Sequence, residues 1–379
     1  MGLFFMKIIS KILLLLALGG SLCGHAQFLS DDKARENTLK GLDYIYNFEF
    51  DKAEQILQPI KAKYVGHPVV HLLNALQIQN QFVPIEKHPA AYKNYLSELG
   101  HCEQKAKVYY KKPAFKTESV YFLLASEGLL ALSDVYQKEY LAMGVIAKRA
   151  YGNFQESQKI KSQSSEFLFS SGLYNYYREA YPETHPATRS IFYFFDKGNK
   201  KLGIQELEAS AKNSVFSRIE AQTFLIHILI KYESNFKKAL QYSSALYAKY
   251  PNNPLFLISE IECRILNKEY ERAAKLNQIL LKKTDAVAKT SAFTFEGYLD
   301  EHFTEDQSQA KINYAKALKI EADDRTTLDY HAMAYLGLGN IFKKENNNAK
   351  AKTMYKECLK IAQYKWIIEQ AKFQLNVLK

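Results

Sequence analysis

The feature that most constrains this chain is a stripe of apolar and small side chains that returns about every 34 residues. Residues 235–251 read NFKKALQYSSALYAKYP. Counted from Ala239, the residues Tyr242, Ser243, Leu246, Tyr247 and Tyr250 follow at three, four, seven, eight and eleven positions, which is one face of an α-helix. The same offsets from Ala351 give Met354, Tyr355, Cys358, Leu359 and Ala362. From Ala273 they give Leu276, Leu280 and Leu281; from Ala310, Tyr314, Ala317 and Leu318; from Ala53, Ile56, Leu57, Ile60 and Tyr64. Gly203, with Leu207 and Ala211, fits more loosely. The stripe heads at 203, 239, 273, 310 and 351 are 36, 34, 37 and 41 residues apart. A period of this length, with two helices per unit, predicts a solenoid of stacked helix pairs. The small head residue has a physical reason: two helices approach closely there, and a larger side chain would push their backbones apart.

The helix before each stripe completes the unit. Residues 223–232, TFLIHILIKY, are apolar nearly all round, as expected of a helix covered by its partner and by the next unit. Pro251 ends the stripe because proline lacks an N–H and clashes with the preceding turn. Tyr250-Pro251-Asn252-Asn253-Pro254 is therefore an inter-unit turn. Eight pairs are expected, at 31–64, 69–111, 117–154, 163–212, 217–249, 254–282, 287–320 and 326–362. A last helix, 365–378, would cap the array with Trp366, Ile367, Ala371, Phe373 and Leu375. The long 41-residue step predicts an insertion near KENNN (344–348). The stretch YYREAYPETHP (176–186) is expected to break the fourth pair, and SIFYFF (190–195), a short strand by composition, reads as a buried helical segment because its neighbours are helical.

In the unit 335–362, Tyr335, Leu338, Gly339 and Phe342 precede Ala351, Tyr355 and Cys358 at the spacing of tetratricopeptide repeats. The chain resembles that family most clearly over 217–362 and again at 37–64, where NFEFDKAE opens the second helix; Asn37 and Lys40 depart from the pattern. Residues 65–200 are helical by pattern but lack the full signature. The expected organisation is a leader at 1–26, an N-terminal unit at 27–64, divergent helical repeats at 65–212, the array at 217–362 and a cap at 363–379. The resemblance implies an all-α superhelical solenoid of about eight pairs.

The first residues read MGLFFMKIISKILLLLALGGSLCGHAQ. Lys7 and Lys11 precede an apolar run at 12–18, and Gly24-His25-Ala26 forms a small-residue cleavage site. That pattern predicts a secretory signal peptide, with no transmembrane helix in the mature chain. Cys23 has Gly20 and Leu22 where a lipoprotein signal needs an aliphatic and a small residue, so no lipid anchor is expected. Removing 1–26 lowers the formal net charge from +11 by two. The charges are interspersed along helices, which gives weak attraction to anionic surfaces and no nucleic-acid role. Cys102, Cys263 and Cys358 form no disulfide framework and read as small buried hydrophobes.

Catalytic and metal motifs are sparse. HPVVH places His67 and His71 four apart, but Pro68 puts His67 ahead of the helix, and no HExxH is present. His88-Pro89 and His185-Pro186 read as turns. Glu301-His302 near Glu305-Asp306 is the one carboxylate–imidazole cluster, of a kind a charged chain produces by chance. No phosphate-cradling or nucleophile-elbow motif occurs. No enzyme, metal or cofactor is expected.

In tetratricopeptide repeats the first helix of each pair lines a groove that receives a peptide or a partner's helix. Carried onto 217–249, the groove positions are Ala221, Phe224, Ile228, Lys231 and Tyr232; onto 326–362, they are Met333, Leu336, Asn340, Lys343 and Lys344. Leu336 stands where the family's chaperone-tail binders carry lysine, so their carboxylate clamp is not expected. The partner-binding residues implied are Phe224, Ile228, Lys231, Tyr232, Asn340, Lys343 and Lys344, in a groove apolar at its middle and basic at one end. Phe224 and Ile228 have an alternative reading as packing residues. The expected role is a non-catalytic scaffold of the bacterial envelope, periplasmic, outer-membrane-associated or extracellular, holding a protein or peptide. With 27 tyrosines, a glycan- or small-ligand-binding scaffold is the alternative.

Overall fold

A computed structural model describes residues 27–137, 140–184, 189, 195–323 and 326–378. The expected leader at 1–26 lies outside them, as do His185-Pro186 and most of SIFYFF. Among the described residues there are seventeen α-helices and no strand. They are α1 (Asp32–Tyr46), α2 (Phe50–Lys63), α3 (Pro68–Gln81), α4 (Pro89–Tyr110), α5 (Lys116–Gln137), α6 (Tyr140–Lys159), α7 (Phe167–Thr184), α8 (Lys200–Asn213) and α9 (Arg218–Lys231). The remainder are α10 (Phe236–Lys249), α11 (Pro254–Leu266), α12 (Tyr270–Leu280), α13 (Ala286–His302), α14 (Gln307–Leu318), α15 (Leu328–Lys344), α16 (Asn348–Ile361) and α17 (Lys365–Val377). The expected all-α array of helix pairs is what these residues form.

The chain divides into two compact units. The first holds residues up to 41 together with 50–157; the second holds 42–49 and everything from 158 onward. This division cuts across the expected block at 65–212, because the fourth pair packs with the repeats that follow it in the chain.

In the first unit, Phe28, Tyr64, Tyr109 and Phe122 gather around the His67 ring. His67 is buried at the N-terminus of α3, where its Nδ1 accepts the Val69 N–H at 3.1 Å. Its Nε2 lies 3.0 Å from Glu118 Oε1. Pro68 occupies the first turn of α3, where a missing N–H costs nothing. A second cluster joins Ala75, Tyr95 and Leu99 between α3 and α4.

In the second unit the stripe heads Ala239, Ala273, Ala310 and Ala351 are all fully buried, as is Ala53 in the first. Leu246, four residues short of the turn at Tyr250, is 1% exposed, a burial that stabilises by about 2 kcal/mol. Asparagine or aspartate caps the helix starts: Asn199, Asn235, Asn253, Asp285, Asp306 and Asn347 each accept a backbone N–H from the first turn. Pro254 follows Asn253 at the start of α11, which closes the inter-unit turn begun at Tyr250. Cys102, Cys263 and Cys358 are free and buried.

The turn inside a pair has one conformation, used five times. Phe48, Ser234, Lys268, Glu305 and Asn346 all have φ between 50° and 63°, and each stands two residues before its second helix. An N–H at the turn then closes on a carbonyl of the first helix: Glu49 on Tyr44, Asn235 on Leu229, Glu269 on Arg264 and Asn347 on Phe342 from the residue after the left-handed one, and Thr304 on Leu299 from the residue before Glu305, at 2.8–3.1 Å. The turn at KENNN, 345–347, is thus an ordinary one. The extra length of the long step lies in the connection from α14 to α15, residues 319–327 against 250–253 between α10 and α11, and in α15 itself, which has 17 residues against 13 in α11. Pro182 sits within α7, which runs on to Thr184.

Packing between neighbouring pairs is tightest at Tyr314. Its fully buried ring lies between Gly297 on α13 and Gly337 on α15, and a Cβ at either glycine would enter the ring. Gly339 makes the same room for Tyr355.

Candidate binding site

The first helices α9, α11, α13 and α15 turn one face of the second unit toward residues 363–370, and two clefts open on that face. The first has a volume of about 320 Å³. Phe236, Met333, Leu336 and Trp366 give it apolar walls; Glu301, His302, Asn340, Lys268 and Gln370 give it polar groups. Tyr314 lies at its floor, and its hydroxyl donates to Glu301 Oε2 at 2.9 Å. Asn340 donates to Glu301 Oε1 at 3.2 Å and accepts the Tyr355 hydroxyl at 3.0 Å. Glu301 is 4% exposed, and burial holds its carboxyl above the usual range despite the pull of His302, Tyr314 and Asn340. His302 stacks on Tyr298 with ring centroids 4.0 Å apart. Its Nε2 is 3.8 Å from Glu301 Oε1, but that carboxylate is already committed to Tyr314 and Asn340. Trp366 meets Phe236 edge to face, and its Nε1 is buried with no hydrogen-bond partner.

The second cleft, about 410 Å³, is the more polar. His227 and Lys231 come from α9, Glu262 from α11, Asp329 and Tyr330 from α15, and Gln363 and Tyr364 from the segment before α17. Burial pushes the Glu262 carboxyl up to about 8, so it is largely protonated at neutral pH; Tyr330 bonds it at 3.2 Å. Burial, with the nearby Lys231 charge, drives His227 down to about 3, so this imidazole is neutral. Burial also lowers the Lys231 ammonium and raises the Asp329 carboxyl. Asp329 Oδ1 accepts the backbone N–H groups of Gln363, at 2.8 Å, and Tyr364, at 3.0 Å. Lys231 donates to the Gln363 side chain. Residues 363–366 therefore run between the two clefts and contribute to both.

The structure places the predicted groove residues in different settings. Asn340 lines the first cleft and Lys231 the second. Ile228 has no exposed surface and belongs to the core cluster of Tyr176, Leu207 and Leu225. Tyr232 packs edge to face on Tyr176 and Tyr177, and Phe224 packs on Phe169, all toward the preceding pair. Packing between pairs, the alternative reading of Phe224 and Ile228, describes where they sit. Lys343 donates to Gln374 at 2.7 Å and Lys344 to Gln307 at 3.5 Å, both neutral partners, and the Lys344 charge also acts on the Glu301 carboxyl. Sequence reasoning missed Tyr298, Glu262 and Asp329 and assigned Trp366 to a cap; the one visible signal was that Trp366 is the chain's single tryptophan.

No protein-family model matches the chain, and no curated protein matches it. Among solved structures, the C-terminal part of a TPR repeat-containing protein from Cytophaga hutchinsonii is similar, with 14% identity over 88% of this chain and 98% of that one and a TM-score of 0.29. At that TM-score the two folds superpose poorly, and the character of this chain rests on its own hairpins. Repeated pairs with small buried heads, one shared left-handed turn and aromatic-on-glycine contacts define a TPR-like helical repeat protein. No helix among the described residues is long and apolar enough to cross a membrane.

Proposed function

We propose that this protein is a non-catalytic scaffold that holds an extended segment of a partner protein on the first-helix face of its second unit. One observation carries the reading: that face already holds a piece of the protein's own chain, the non-helical stretch 362–364 and the first turn of α17. Asp329 captures two consecutive backbone N–H groups, Lys231 takes a side-chain amide, and an aromatic anchor, Trp366, lies against Phe236. Backbone capture plus a buried aromatic anchor is a general means of peptide recognition. A partner segment takes up the same contacts in place of residues 363–366 and runs on into the first cleft, where Glu301 and Asn340 offer fixed polar groups, and toward the positive end at Lys343 and Lys344. The leader-like pattern of residues 1–26 supports export, and we infer a place in the bacterial envelope, periplasmic or outer-membrane-associated.

A second reading, a glycan or small ligand in the first cleft, is favoured by its volume of about 320 Å³, which suits a small molecule, and by the Tyr298–His302 stack. A photo-cross-linking residue at Tyr298, compared with one at the exposed Ile279 on α12, separates the two in native cells. A discrete polypeptide adduct at 298 alone supports the scaffold. Carbohydrate adducts at 298, or identical adducts at both positions, count against it.

A further inference from the structure

We propose that His71, Glu98 and His101 in the first unit form a binding site for a divalent transition-metal ion of the zinc class. His71 lies on α3 and faces Glu98 and His101, which sit three apart on one face of α4. One imidazole nitrogen from each histidine and one Glu98 oxygen all lie within 4.8 Å of one another. The two rings are 5.2 Å apart, and His71 Nδ1 is 2.6 Å from Glu98 Oε2. A four-coordinate zinc-class ion, with bonds of about 2.0–2.1 Å, places its ligand atoms about 3.3 Å apart. The closest pair thus opens slightly and the rest close, through side-chain rotation alone.

The chemistry of the donors points the same way. Two imidazoles and one carboxylate suit zinc and its neighbours rather than calcium or magnesium. The ion replaces the hydrogen bond between His71 and Glu98: the neutral imidazole ligates through one ring nitrogen and keeps its single proton on the other. Asn74 Nδ2 donates to the other Glu98 oxygen at 3.3 Å and so fixes the carboxylate from outside the ligand set. His101 is exposed, which gives an entry path and leaves a fourth position for water. The other histidine–carboxylate contact of this unit contrasts with it. His67 is sealed in the core and spends both ring nitrogens, on Val69 N–H and Glu118. The two histidines of HPVVH therefore part ways, and the ligand set spans two helices, with His71 and Glu98 27 positions apart.

The test uses the full chain, purified without a polyhistidine tag, stripped with chelator and titrated with Zn²⁺ by calorimetry, with Co²⁺ absorption as a second probe. The expected result is one ion per chain, a four-coordinate Co²⁺ spectrum, and at least a tenfold loss of affinity in both His101→Ala and Glu98→Gln. Zn²⁺ should raise the melting temperature of the wild type and not of the variants. His101 is exposed, so His101→Ala should melt like the wild type without metal; if it does not, Glu98→Gln alone carries the comparison. The absence of a saturable site, or equal affinity in all three proteins, overturns the proposal.

Discussion

The Tyr314 hydroxyl on α14 reaches Glu301 Oε2 on α13 across 2.9 Å, while its ring fills the gap between Gly297 and Gly337. One side chain thus sets both the spacing of two neighbouring pairs and the orientation of a cleft carboxylate. The two roles are separable by substitution. Gly337→Ala should destabilise the protein by about 1–3 kcal/mol through overpacking, measured by urea unfolding. Tyr314→Phe keeps the wedge and removes only the donor, so it should cost about 1–2 kcal/mol and leave the pairs in place. Wild-type stability in Gly337→Ala would contradict the close approach.

The left-handed turns predict a gain. Glu305 has φ of 58° and is exposed, so its side chain is held in a conformation that L residues disfavour without any contact to offset it. Glu305→Gly removes that strain but loosens the unfolded chain, for a net stabilisation of about 0.5–1 kcal/mol. A melting temperature raised by a few degrees in thermal denaturation is the expected readout. A lowered one means that Glu305 contributes a contact of its own.

The helix pairs were legible because a 34-residue period survives divergence: Ala239, Ala273, Ala310 and Ala351 must be small wherever two helices meet, and each is fully buried. The turns were not legible. Phe48, Ser234, Lys268 and Glu305 have nothing chemical in common, and none is glycine; their left-handed φ is imposed by hairpin closure. The clefts were legible only in part. Family spacing brought Lys231 and Asn340 to them, yet Glu262, Asp329 and Gln363 join Lys231 through contacts that reach 132 residues along the chain. Trp366 illustrates the remaining ambiguity, since an apolar stripe at a chain end reads as a cap whether it seals the last pair or leans across a face. In α17 Ile367 and Ala371 do the first, and Trp366 does the second.

Glu262 gives the second unit a pH dependence. Its folded value of about 8 lies above the ordinary 4.5, so the native state holds this proton more tightly than the unfolded chain. The stability it contributes is full below pH 4.5 and is lost progressively as pH rises through 8, because the ionised form must be buried beside Asp329. Glu262→Gln keeps the site neutral. Urea unfolding at pH 5, 7 and 9 should show the wild type losing stability more steeply than the variant across that range. Parallel profiles would mean that Glu262 is ionised in the folded protein and stabilised by other groups.

Asp329 tests how the segment before α17 is held. Its Oδ1 accepts two backbone N–H groups, of Gln363 and Tyr364, and both lose their acceptor in Asp329→Ala. Unmet buried donors cost about 1–3 kcal/mol, and that loss falls on residues 363–377 rather than on the stack of pairs. Hydrogen exchange should therefore speed up in 363–377 and stay unchanged in α9–α14. Trp366→Ala, which removes the anchor against Phe236, should speed exchange in the same residues and open the first cleft to solvent. If the scaffold reading holds, both variants should also give more polypeptide adduct at position 298, because a partner no longer competes with the protein's own chain. Faster exchange with less adduct would instead make residues 363–366 part of the binding surface that the partner needs.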